Sequence, residues 1–199
     1  MGLSKIEAVN IILESIGEAP VSSLTSGLPD AEAAESKLNE INKSVQARGW
    51  HQNIDYNLKL MPNNNSLIYV PSNYLRVDTT RDSQYINVTV RNYNSRLALY
   101  DIKKQTYIFT QALFVDVVYL IPFEDLSLEL STYIAYLAAR KFQESQMQSV
   151  ALDNFTRRAE MEAYAALLDA ESETDDANIL TDSPYVAYAT YRHHGLYGR

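Results

Sequence analysis

The spacing of apolar residues changes twice along the chain, and these changes constrain the fold more than any motif. Before Gly49 the apolar residues recur every three or four positions. From Ile54 to Ile121 they alternate or run in short β-like blocks, and beyond Pro122 the helical spacing resumes. The expected fold class is α+β. A four-helix bundle forms from N- and C-terminal helix pairs, a small antiparallel β region is inserted between them, and an extended C-terminal arm follows. The corresponding divisions are residues 1–50, 51–121, 122–172 and 173–199.

Local signals delimit the helices. Ile6, Val9, Leu13 and Ile16 share one face, Ser4 and Glu7 have capping-box spacing, and Gly17 suits a C-terminal cap. Asp30 is expected to cap a second helix, whose inner face is Ala34, Leu38, Ile41 and Val45. Asp125 is expected to cap a third helix running to about Gln146, striped by Leu126, Leu130, Tyr133 and Leu137. A fourth helix is expected from about Ser149 to Ala170, with Leu152, Phe155, Ala159, Ala163 and Ala166 inward.

Between the helix pairs, Ile54, Tyr56, Leu58 and Leu60 alternate with polar residues, as in a half-buried strand. Further β-like runs lie at 67–70, 74–77, 86–90, 96–100, 106–110 and 113–121. Their Tyr, Val, Ile and Thr content suits a pleated surface, so a small antiparallel sheet or barrel is expected.

The switch from helix to strand falls in VQARGWHQN, residues 45–53. Gly49 ends the helix, and Trp50 is the first bulky side chain after it. A large ring there can pack against both elements and fix their angle, so Gly49 and Trp50 are read as a structural joint. His51 is read as a surface or hinge residue.

The arm differs in composition. Asp169, Glu171, Glu173, Asp175 and Asp176 form an acidic stretch. Tyr185, Tyr188 and Tyr191 then recur every three residues, followed by Arg192, His193 and Tyr197. Tyrosine and arginine suit interfaces, so these six residues are the expected contact with another subunit or partner.

Little points to catalysis. There is no phosphate-binding glycine loop, HExxH or GxSxG pattern. Cys is absent, which removes disulfides and thiolate chemistry. Adjacent His193 and His194 diverge on an extended chain and do not make a metal site alone. Glu124, Asp125 and Glu129 could be offered as a glycosidase pair, but one of 25 acids near another is common. No metal or cofactor is expected, and no enzyme activity. The net charge of −8 opposes general DNA coating, and no apolar run approaches a membrane span.

Three stretches resemble tail tubular protein A of short-tailed bacteriophages. They are AVNIILESIGEAPVSSL at 8–24, LNEINKSVQARGWHQN at 38–53 and PFEDLSLELSTYIAYLAARKFQES at 122–145. The likeness covers residues 4–60 well and 122–170 less closely. It implies a structural virion protein: a dodecameric adaptor ring joining the portal to the tail nozzle protein, tail tubular protein B. DNA would pass through the ring without sequence-specific binding. The location implied is the virion tail, after assembly in the host cytoplasm. Twelve copies at −8 each would place about −96 on such a ring, and an acidic lumen repels phosphate. Some of Glu32, Glu35, Glu40 or the acids of 169–176 are expected to face the channel. Two other readings are a virion-associated carbohydrate hydrolase and a monomeric binding module.

Overall fold

A computed structural model describes residues 2–25, 27–146 and 150–174 of the 199-residue chain. It is α+β, with four helices and two small antiparallel sheets. Helix α1 (Lys5–Ser15) opens on a complete capping box. The Ser4 N–H donates to Glu7 Oε2 at 2.8 Å, and the Glu7 N–H donates to Ser4 Oγ at 3.3 Å. It closes with Gly17 at φ +81°. The Glu18 N–H reaches Leu13 O and the Gly17 N–H reaches Glu14 O, which satisfies carbonyls that the last turn leaves open.

Helix α2 (Pro29–Gln46) begins differently from the expectation at Asp30. Leu28 occupies the cap position without a side-chain bond, and Pro29 starts the helix with its φ already fixed. Asp30 lies one residue inside, where its charge faces the helix N-terminus. The α1–α2 loop is pinned by Asn10, whose amide exchanges two bonds with the Val21 main chain at 2.8 and 3.1 Å.

Helix α3 (Leu128–Gln146) is likewise not capped by Asp125, which sits in a 3-10 turn at Phe123–Asp125. Ser127 takes that role, its Oγ accepting the Leu130 N–H at 3.3 Å. Helix α4 (Val150–Thr174) runs past the expected Ala170. Its inward residues include Ala163 and Leu167, whereas Ala166 is exposed, so the expected stripe is one position out of phase there. The side chains of Leu152 and Phe155 lie outside the described residues.

The β region forms two open sheets rather than a barrel. One has the order β1 (Ile54–Leu60), β5 (Leu113–Tyr119), β2 (Tyr74–Thr79), and both pairs are antiparallel. The other is the hairpin β3 (Val88–Tyr93) with β4 (Arg96–Asp101). The run at 67–70 makes an isolated bridge from Tyr69 to Ala98, and 106–110 makes one from Thr106 to Asp101. Neither becomes a strand of its own. The alternation in β1 breaks at a bulge between Asp55 and Leu58, with Asn57 at φ +57°. Tyr56 is therefore 64% exposed, against the expectation that it faces inward.

Two apolar cores result. One joins all four helices: Ile12 and Leu13 of α1, Leu38 and Val45 of α2, Leu130 and Ile134 of α3, and Leu167 of α4. Each fully buried side chain of this size contributes roughly 1.5–3 kcal/mol. One polar link among these helices is Gln143, which donates to Ser15 O at 2.6 Å and accepts from Thr156 Oγ1 at 2.8 Å. The second core lies in the β region, around Ile68, Leu99, Phe109, Leu113, Val115 and Val117. Among the described residues no helix is long and apolar enough to cross a membrane.

Candidate functional site

The two cores meet where the chain crosses between them, at α2–β1 and again at β5–α3. Gly49 has φ +85°, and a Cβ there would lie 3.0 Å from Ile54 Cδ1, 3.1 Å from Arg76 Nη2 and 3.3 Å from Val118 Cγ2. The backbone thus turns in the left-handed region while both sheet and side chains press on it. Trp50 follows and is 8% exposed, packed with the helical core. Its Nε1–H donates to Val45 O at 2.8 Å, a carbonyl in the last turn of α2 that also accepts the Arg48 N–H at 3.2 Å.

Three side-chain amides bind the two crossings together. Gln46 is fully buried. Its Nε2 donates to Ile121 O at 2.9 Å and to Asn42 Oδ1 at 2.8 Å, while its Oε1 accepts the Ile121 N–H at 2.8 Å. Asn53 is also buried; its Nδ2 donates to Gln46 O and Tyr119 O, and its Oδ1 accepts the Trp50 N–H at 2.7 Å. Gln52 accepts the Ser127 N–H at 2.9 Å and donates to Ser127 Oγ at 3.2 Å. Each such bond contributes about 0.5–1.5 kcal/mol net, but orphaning a buried partner costs about 1–3 kcal/mol. Among the described residues no buried side-chain polar atom lacks a partner.

These three amides and their neighbour Asn42 were missed in the sequence, although VQARGWHQN contains three of the four. The signal was available: Leu38, Asn42 and Gln46 are spaced by four, so two amides continue the apolar stripe of α2. His51 is exposed in a 3-10 turn at His51–Asn53, and its main-chain N–H donates to Glu171 Oε2 at 2.9 Å. The C-terminal end of α4 is thereby held beside the joint.

The other expected site residues are dispersed. Glu35 pairs with Lys5 at 3.0 Å and Glu40 with Lys37 at 2.6 Å, while Glu32 is exposed in the first turn of α2. Asp169 and Glu173 are exposed on α4; Asp175 and Asp176 lie outside the described residues. So do Tyr185, Tyr188, Tyr191, Arg192, His193, His194 and Tyr197. Glu124 and Asp125 are exposed in the turn before α3, and Glu129 is half-buried in its first turn. Among the described residues no three His, Asp or Glu side chains gather as metal ligands. Charge is segregated: residues 1–50 and 122–174 carry 8 Lys and Arg against 17 acids, and residues 51–121 carry 7 against 5.

The described residues form a jointed scaffold, two apolar cores tied together by buried amides. A family model described as tail tubular protein matches residues 6–177, from the first turn of α1 to beyond α4. The chain belongs to the tail tubular protein family. Tail tubular protein A of Klebsiella phage KP34 is 29% identical over 134 residues, covering 67% of this chain and 68% of that protein. This tail tubular protein is accordingly a structural component of the phage virion tail. Both helix pairs, the β region and the amide-bound joint fall inside the family match.

Proposed function

We propose that this tail protein is the head-to-tail adaptor, a dodecameric ring seated between the portal and the tail nozzle protein, with DNA ejected through its centre. The observation that carries the reading is the family match across residues 6–177, which takes in the helical core and the β region together. The helix pairs act as a four-helix bundle and form the ring wall. The β region, residues 51–121, is a projecting contact module set at a fixed angle by Gly49, Trp50 and the amides beside them. The arm, expected at 173–199 and here following α4, docks on a neighbour or on portal through Tyr185, Tyr188, Tyr191, Arg192, His193 and Tyr197. Some of Glu32, Glu35, Glu40 or the acids of 169–176 line the lumen, where negative charge lets DNA slide. Its task is assembly in the host cytoplasm and then passage of the genome, without catalysis.

A low-resolution image of the protein bound to purified portal tests this. A ring of twelve subunits with an open centre is the expected result. A protein that remains a monomer with both portal and nozzle would remove the adaptor role.

A further inference from the structure

One stretch of this acidic molecule carries a net positive charge. Between residues 84 and 115 there are four Lys and Arg and a single acid, a net of +3, which leaves −11 for the rest of the chain. That acid, Asp101, is 3% exposed and accepts the Lys104 N–H at 2.9 Å. The β3–β4 register pairs Thr89 with Tyr100, Arg91 with Ala98 and Tyr93 with Arg96. Strand alternation puts these six residues on one face, with Leu97, Leu99 and Asp101 on the other.

The arginines on that face are held in place by rings. Arg91 Cζ lies 4.0 Å from the centre of the Tyr100 ring, and Arg96 Cζ lies 3.9 Å from that of Tyr69. Tyr107 packs against Tyr93 at 4.5 Å and Tyr100 at 4.8 Å, joining three rings into a floor. Both arginines are exposed and all four tyrosines are half-buried. Among the described residues no carboxylate pairs with either arginine. A guanidinium stacked on a ring keeps its N–H edges free and loses little entropy when they are used.

We propose that this hairpin face is the docking surface for a carboxylate-rich surface on another protein of the tail. This rests on the adaptor reading above. Three observations choose a protein over DNA. The guanidinium groups cover the Tyr100 and Tyr69 rings, which closes them to base stacking. The net −11 elsewhere repels a duplex, and so few cations release few counterions. Arginine and tyrosine are the residue types that dominate protein interfaces, and the free forks match carboxylates with two bonds each. The face belongs to the β core, apart from the helical core, so it is presented by the projecting module.

The test is binding of the full-length chain to purified portal and to purified nozzle protein of the same virus, with duplex DNA as a third probe. The double variant Arg91→Glu/Arg96→Glu is compared with Lys43→Glu/Lys141→Glu, which makes the same charge change at exposed positions on the helices. Melting temperatures check that both variants fold. The hairpin reversal is expected to weaken attachment to one of the two proteins by at least about tenfold, more at low salt, while the helix reversal leaves it within about threefold. Wild-type affinity of the hairpin variant for both proteins would overturn the proposal while leaving the adaptor role intact. So would a loss confined to DNA or to self-association. Failure of the wild-type chain to bind either protein would remove the adaptor reading and this surface with it. If the hairpin variant misfolds, Arg91→Gln/Arg96→Gln is read in its place against the same thresholds.

Discussion

Gln46 and Ile121 exchange two hydrogen bonds, at 2.9 and 2.8 Å, across 75 residues of sequence. The side chain at the end of α2 thus completes the main chain at the end of the β region. Replacing the fully buried Gln46 by Met keeps the volume but removes the side-chain partner of both the N–H and the carbonyl of half-buried Ile121. The expected loss is about 2–4 kcal/mol in denaturant unfolding. An unchanged midpoint would show that water or a relaxed loop takes over both bonds.

Trp50 combines ring burial with one polar bond, and two variants separate them. Trp50→Ala should cost about 3–5 kcal/mol. Trp50→Phe keeps most of the ring and removes one bond to Val45 O, which still accepts the Arg48 N–H, and should cost about 0.5–1.5 kcal/mol. Equilibrium unfolding of the pair measures both, and a thermal shift near zero for the alanine variant would contradict the structural joint.

Gly17 and Gly49 share nearly the same backbone, φ +81° and φ +85°, in different surroundings. A Cβ on Gly17 meets nothing within 4 Å, so Gly17→Ala should cost only the left-handed penalty, about 1–2 kcal/mol. Gly49→Ala adds a crowded contact with Ile54, Arg76 and Val118 and should cost more. Melting temperatures that rank the two the other way would refute the packing argument.

Glu7 carries the pH dependence that can be assigned. The Ser4 hydroxyl, and after it the Ser4 N–H, hold its carboxyl below the ordinary 4.5. A lowered folded value means that its contribution is present above about pH 4.5 and is lost as pH falls through the folded value. The stability gap between wild type and Glu7→Gln should therefore narrow on acidification. A gap that stays constant from about pH 6 to about pH 3 would exclude the capping carboxylate as its source.

Deleting residues 184–199 should leave the melting temperature unchanged and weaken attachment in the virion tail, measured as binding to purified portal. Full affinity in the truncated chain would make the arm irrelevant to docking.

Sequence by itself determined what short range decides. The capping box at Ser4, the Gly17 stop and the apolar stripe of α2 depend on residues at most four or five apart, and each was readable from spacing alone. Caps at Asp30 and Asp125 were misplaced because several residues near each helix start could serve, and packing selects Pro29 as the start of one and Ser127 as the cap of the other. Only the tertiary structure decided the rest. The place of β5 between β1 and β2 and the bulge that turns Tyr56 outward both arise from pairings more than 30 residues apart, the nearest being Thr79 with Val115. So do the distant partners of Gln46, Gln52 and Asn53, which are Ile121, Ser127 and Tyr119: an amide bonds equally well to any peptide group, and its type does not specify which one the fold will bring to it.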